Sequence, residues 1–150
     1  TIPRLRSLGL SDSLLADSLL ASLAQRLVGR NCSSCSKPAF MTSEQEALLG
    51  HLGEDLPLQR GTGCPDCRET GCTGRIGLFE LVVVDQALQD RIAGGAPVTD
   101  LRHMAATSGR KSIVDDALDT VRSGRTSIDE VLRVVPYRAI EAARDWSRPS

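Results

Sequence analysis

At 150 residues, 41% of them apolar, the chain is long enough for one ordinary domain or two small ones and can bury a real core, although with only four aromatic residues (Phe40, Phe79, Tyr137, Trp146) that core must come from Leu, Ile, Val and Ala. Its 18 Lys and Arg against 19 Asp and Glu leave a net charge of -1, which argues against a sequence-wide field that draws in nucleic acid or an anionic membrane. No apolar stretch approaches the roughly 20 residues of a membrane span, and no charged segment followed by an apolar one marks a signal peptide, so the chain reads as cytosolic, globular and helix-rich.

Thr1 in place of Met reads as the start of a piece cut from something longer. From Ile2 onward, Leu15, Leu19, Leu20, Leu23 and Leu27 recur at three- and four-residue spacing, with Ser11 or Asp12 available as a cap. That pattern predicts an amphipathic helix running to about Leu27, and "RLVGRN" (Arg26 to Asn31) fits a short strand only weakly. The region 33–63 carries Pro38, Pro57 and several glycines, and within it Ser43 and Glu46 suggest a capping box for a short helix over Ser43 to Leu52.

"GRIGLFELVVVD" (Gly74 to Asp85) is apolar, rich in β-branched residues and too short for a typical helix, so it predicts a buried strand pairing with "RLVGRN". Asp85 can cap a helix to about Ala93, which "GGAP" ends, and a second helix is expected over about Asp100 to Thr107. Lys111 to Ser123 places Ile113, Val114, Ala117, Leu118 and Val121 on one face and stops at Gly124. Ser127 with Glu130 suggests a capping box for "IDEVLRVV", which Pro136 ends, and Tyr137 to Trp146 predicts one more helix before a frayed "SRPS" end. The fold class read from this pattern is α+β and mostly helical: a short two-stranded element flanking a cysteine module, then an all-helical subdomain.

Chemistry is concentrated in the cysteines. Cys32, Cys35, Cys64 and Cys67 form two C-x2-C pairs, each able to bend around an ion, and together they supply the four thiolates of a tetrahedral structural zinc site. The loop between the pairs is longer than usual, which adds well under ~1 kcal/mol because closure entropy grows only logarithmically. Lys37, Arg60 and Arg68 are near in sequence to offset the negative charge. Redox dithiols or disulfides are the competing reading. Cys72 stands four residues beyond Cys67, which spoils the knuckle spacing and makes it a free thiol; it is expected to be the fast-reacting one if exposed. His51 and His103 read as ordinary packed or surface residues, and Asp115, Asp116 and Asp119 as a solvated helix face. There is no GxxxxGK[ST] phosphate loop, nucleophile elbow, HExxH, or GxGxxG after a strand, so no catalytic or cofactor-binding centre is visible.

Three segments together resemble a known family: "LLADSLLASLAQRLVGRNCSSC", "GCPDCRETGCTGRIGLFELVVVD" and "GRKSIVDDALDTVRSGRTSIDEVLRVV". In order and spacing they resemble the C-terminal portion of the secretion ATPases that drive type II secretion and type IV pilus assembly, in the subgroup with a zinc tetracysteine element. The resemblance runs from about residue 2 to 135. Cys72 stands where that family commonly has Tyr, and Gly29 and Asn31 where it has Arg and a bulkier apolar residue. The resemblance implies a RecA-like ATPase parent whose phosphate loop, acidic magnesium site and histidine box lie upstream of Thr1. It also implies three segments here: 1–31 as the end of the RecA-like domain, 32–84 as the zinc module and return strand, and 85–150 as the C-terminal helical subdomain.

On that reading the chain is the zinc-binding and helical assembly module of a hexameric motor that powers secretion or pilus extrusion. Zinc would be held by Cys32, Cys35, Cys64 and Cys67, while ATP and magnesium would belong only to the full-length parent. The expected partners are the other ring subunits, an inner-membrane platform protein and cytoplasmic secretion or pilus components, with no nucleic acid. The expected location is cytoplasmic, peripheral to the bacterial inner membrane through those partners. The alternative is a free-standing zinc-binding interaction protein derived from such an ATPase without motor activity.

Overall fold

A computed structural model describes residues 2–107 and 109–146, and its main departure from the sequence pattern comes at Leu19. After α1 (Ile2–Ser7), helix α2 (Asp12–Ser18) starts as expected: the Ser11 hydroxyl caps it by accepting the Leu14 N–H at 3.3 Å. It then ends within two turns. Leu19 is already extended, and strand β1 runs Ala21–Asn31. The helix expected through Leu27 is therefore wrong over its second half. Leu20, Leu23 and Leu27 do not form a buried helical stripe; they are 76%, 62% and 44% exposed. Pairing with strand β4 (Cys72–Val83) wins over helical periodicity, because a chain laid beside a β-branched strand can satisfy its backbone groups across the pair. The Cys32 N–H donates to the Gly71 carbonyl at one end and the Val84 N–H to the Leu20 carbonyl at the other, both at 2.9 Å, so the pair is antiparallel.

The remaining elements are β2 (Ser36–Pro38), α3 (Ser43–Leu49), β3 (Gln59–Gly61), α4 (Gln86–Ala93), α5 (Val98–Thr107), α6 (Ile113–Arg122), α7 (Ile128–Val134) and α8 (Tyr137–Trp146). The fold is α+β and mostly helical, with two two-stranded sheets, β1–β4 and β2–β3, and only helices beyond Val83 among the described residues. The "SRPS" end lies outside the described residues. No helix among them is long and apolar enough to cross a membrane.

The chain divides into two compact units. The first comprises Thr1–Ala24 and Glu80–Lys111. Its core gathers Leu15, Ala16, Val84, Leu88, Ile92 and Leu101. Asp85 caps α4 by accepting the Leu88 N–H at 3.0 Å and also meets the Arg110 guanidinium at 2.7 Å.

The second unit comprises Gln25–Phe79 and Ser112–Ser150. Its core is built around α6, which buries Ile113, Val114, Ala117, Leu118 and Val121, the stripe its sequence predicts. Ser112 and Asp115 form the capping box of α6. Two caps differ from expectation. At α3 the box is made by Thr42 and Gln45, one position before the Ser43 and Glu46 pair. At α7, Ser127 accepts the Glu130 N–H at 3.3 Å, but the Glu130 side chain turns away from the cap and reaches β1. Helix α3 stops at Leu49, and its predicted last turn is a 3-10 turn over Gly50–Gly53.

Candidate metal centre

Strand β1 delivers Cys32 directly from its last residue, Asn31. The Asn31 side chain is held by two carbonyls, Gln59 at 3.1 Å and Gly124 at 3.0 Å, which fixes the strand end against β3 and the turn after α6. The chain then folds back tightly, with the Cys32 carbonyl accepting the Ser36 N–H at 2.9 Å. Ser36, Lys37 and Pro38 pair antiparallel with Gly61, Arg60 and Gln59, which carries the chain back toward the second cysteine pair. That pair sits on a 3-10 turn, Pro65–Cys67, where proline at the first helical position costs no hydrogen bond. Arg68 and Glu69 follow with positive φ of 53° and 62°, and the Cys64 carbonyl accepts the Glu69 N–H at 3.0 Å.

These two turns bring four sulfurs together. Sγ of Cys32 lies 3.8 Å from that of Cys64, Cys35 lies 3.8 Å from Cys67, and Cys64 lies 3.6 Å from Cys67. All four sulfurs fall within 4.8 Å of one another. A tetrahedral ion with metal–sulfur bonds of about 2.3 Å, the zinc–thiolate value, requires sulfur–sulfur edges of about 3.8 Å. Three of the six edges match that requirement, the others fall within 4.8 Å, and those three are far longer than a disulfide bond of about 2.04 Å. All five cysteines are free thiols. Cys32, Cys35 and Cys67 are buried and Cys64 is half-buried, as a closed structural site needs. The cluster can therefore hold a metal ion. Among the described residues it is the only such group, and His51 and His103 stay outside it.

Electrostatics inside the cluster follow from its hydrogen bonds. The Thr73 hydroxyl, then the Ser34 backbone, favour the Cys32 thiolate and bring its pKa down to about 6. Burial works against ionising Cys67, but the Cys64 and Gly71 amides outweigh it and lower its pKa. Their N–H groups reach the Cys67 sulfur at 3.2 and 3.3 Å. For Cys64 the Cys67 backbone also favours the thiolate, yet burial and the neighbouring sulfurs prevail and push it up to about 12. Without a cation the four thiols cannot all ionise near neutrality, so an incoming ion must displace protons. Arg60, one of the expected neutralising cations, turns to Asp129 at 3.2 Å. The contacts on the Cys67 sulfur are the Cys64 and Gly71 amides, the Cys64 carbonyl and the neighbouring cysteine sulfurs.

Cys72 is placed apart from the four. It is half-buried, and burial followed by the Glu130 charge raises its pKa. The three aspartates of α6 do more than meet solvent. Asp115 completes the cap, Asp116 accepts the Phe79 N–H of β4 at 2.9 Å, and Asp119 pairs with Arg122. Sequence reasoning missed the supporting groups: Thr73, Gly61, Gly71, Asn31 and Glu130. Nothing in a cysteine-spacing pattern marks a glycine or a hydroxyl as support, although the Thr-Gly-Cys-Thr run beside the second pair does concentrate small hydrogen-bonding residues.

Comparison with known proteins places this geometry in context. The family model described as "Type II/IV secretion system protein" matches residues 1–133. The chain is 44% identical over 135 residues to the type II secretion system ATPase E of Vibrio cholerae, covering 89% of this chain and 26% of that protein. It is 40% identical over 134 residues to the type II secretion system protein E of Pseudomonas aeruginosa, covering 89% and 26%. It is 30% identical over 136 residues to the type IV pilus assembly ATPase PilB of Myxococcus xanthus, covering 88% and 24%. The chain thus spans about a quarter of the length of the curated relatives it matches.

Proposed function

The chain belongs to the family of type II/IV secretion system proteins, and from that premise we propose that it serves as the C-terminal zinc-binding and helical assembly module of a hexameric secretion or pilus-assembly ATPase. The observation that carries this reading is the cluster of four sulfurs, three of whose separations are 3.6 to 3.8 Å and all of which lie within 4.8 Å, spacing that suits a zinc tetrathiolate. Bound zinc would supply a structural cross-link and no reaction step. Cys32 and Cys35 bind it from the end of β1, Cys64 and Cys67 from the start of the chain that returns into β4. The ion thereby closes the insertion between the two strands and sets their register. Residues 1–31 then form the end of the RecA-like domain, 32–84 the zinc module and return strand, and 85–150 the helical subdomain.

In this scheme the parent hydrolyses ATP with magnesium at subunit interfaces, and the module works through folding and assembly. Its partners are neighbouring ring subunits, an inner-membrane platform protein and cytoplasmic secretion or pilus components, which hold it at the cytoplasmic face of the inner membrane. Family membership favours this reading over a free-standing interaction protein.

X-ray absorption on the purified chain tests it: one zinc per chain with four sulfur ligands at about 2.3 Å is expected, and nitrogen in the first shell or metal far below one per chain would overturn it. In the full-length parent, replacing Cys32 and Cys64 by Ser should weaken assembly and secretion more than nucleotide binding. The chain alone should not hydrolyse ATP, since it carries no phosphate loop; magnesium-dependent hydrolysis by it would count against the proposal.

A further inference from the structure

Two glycines outside the cysteine pairs bring their backbones into close contact beside the cysteine cluster. A Cβ built on Gly61 would lie 2.7 Å from the Gly71 Cα, and one built on Gly71 would lie 2.9 Å from the Gly61 carbonyl carbon. Neither distance is compatible with a side chain, and both obstacles are backbone, which cannot rotate aside. Gly71 also holds φ at +73°, whereas Gly61 does not need a left-handed conformation.

The position of this contact gives it meaning. Gly71 touches both cysteine pairs: its N–H donates to the Cys67 sulfur at 3.3 Å, and its carbonyl accepts the Cys32 N–H at 2.9 Å. Gly61 precedes Thr62, whose N–H and hydroxyl both donate to the Cys35 carbonyl, at 3.1 and 3.2 Å. Pressing Gly61 against Gly71 therefore fixes three of the four cysteines relative to one another through hydrogen bonds made beside the contact. Cys32 and Cys67 are reached through Gly71, and Cys35 through Thr62.

We propose that the Gly61–Gly71 backbone contact is the positioning element of the metal centre: it holds the two cysteine pairs at tetrathiolate spacing before an ion arrives, and so sets metal affinity. The inference rests on the metal reading above. Outer groups that orient ligands typically change metal affinity 10- to 100-fold when lost. A Gly61→Ala methyl forces the two backbone segments apart without asking the residue itself to adopt a left-handed conformation, so it isolates the contact. Gly74→Ala is the control. It lies in β4 close to the site and, at φ of +74°, is strained by any side chain, yet its Cβ would meet nothing nearer than the Arg30 side chain at 4.0 Å, so it reports local backbone strain without the contact.

The test loads the full chain and its variants with cobalt(II), whose sulfur charge-transfer bands report the ligand shell, and then measures retention of cobalt and of zinc against a competing chelator. Gly61→Ala should lose affinity by about 10- to 100-fold, while Gly74→Ala stays within about twofold of the parent chain. In the cadmium-loaded parent, scalar coupling between the metal and the Gly71 amide proton should report the N–H to sulfur hydrogen bond, and Gly61→Ala should diminish it. Unchanged affinity in Gly61→Ala overturns the proposal, as does an equal loss in Gly74→Ala. Loss of amide protection across α6 to α8 in Gly61→Ala would overturn it too, by making the contact a requirement of the fold. A parent chain that takes up neither metal would remove the metal reading itself, and the inference with it.

Discussion

Glu130 accepts the backbone N–H of Gly29 at 2.5 Å, joining α7 to β1 across 101 residues of sequence. Arg133 grips the same carboxylate at 2.8 and 3.2 Å. Gly29 is buried, so without Glu130 its N–H would be left with neither protein nor water. The Arg133 hydrogen bond, helped by the Gly29 amide and opposed by burial, holds the Glu130 pKa below its ordinary value. A depressed folded pKa contributes stability that is fully present above the unfolded value, about 4.3, and is lost as pH falls through the folded value. Glu130→Ala should therefore lower unfolding free energy by about 2 kcal/mol at neutral pH. The gap from the parent chain should narrow below about pH 4. Equilibrium unfolding at the two pH values checks this, and a gap that does not change with pH would refute the electrostatic account.

Gly29 itself is confined from two sides: an added Cβ would lie 2.8 Å from both the Cys72 sulfur and a Glu130 carboxylate oxygen. Gly29→Ala should cost about 1 to 3 kcal/mol, the usual range for overpacking. Part of that cost should disappear in a Cys72→Ala background, because the sulfur is one of the two obstacles. A double-mutant cycle on thermal or denaturant unfolding measures the coupling, and strictly additive effects would show that the space is not shared as described.

Stripping a metal held at the cluster with a chelator, or replacing Cys32 and Cys64 by Ser, would remove the cross-link proposed to hold β2 and β3 in place. The sequence alone suggests that everything from 32 to 67 would unravel. The structure narrows this, because Leu49 of α3 and Leu58 belong to the core that α6 organises. Hydrogen exchange should show lost protection at the cysteine turns, Ser36–Pro38 and Gln59–Gly61, with α3, α6 and α7 remaining protected. Protection lost equally across α6 and α7 would mean that the metal centre and the helical core do not fold independently.

Cys72 should react slowly with alkylating reagents in the metal-loaded chain. Fast reaction was expected only if it were exposed, but it is half-buried and its pKa is raised, so little thiolate is present at neutral pH. Its modification rate should climb as pH is taken above the ordinary thiol range. Mass-spectrometric mapping of the labelled sites decides the matter, and rapid labelling of Cys72 at neutral pH would contradict the burial.

The clustering of the four cysteines was legible because C-x2-C pairs report a local geometry, a turn that presents two sulfurs to one point, and local geometry is what sequence spacing encodes. The caps at Ser11, Asp85 and Ser127 were legible for the same reason. The pairing of Arg26 to Asn31 with β4 was legible too, but the first half of strand β1 was not, because Leu15, Leu19, Leu23 and Leu27 satisfy a helical period, and the partner that makes Ala21–Asn31 extended lies some fifty residues away in β4. The Gly29–Glu130 bond was likewise hidden: Ser127 and Glu130 have capping-box spacing, and only the approach of β1 gives Glu130 a better donor than its own helix end.

The hydrogen bond from Cys32 to Gly71 places the metal end of the β1–β4 ladder directly against the cysteine cluster. Pairing two strands so distant in sequence is slow when chance encounter must close the whole intervening loop first. Four thiolates converging on one ion would perform that closure at the base of the ladder, after which each further pair would add beside one already made. Metal supply would then govern how quickly the ribbon zips as well as how firmly it is held, and a newly synthesised chain short of metal would spend longer with both strands open to mispairing.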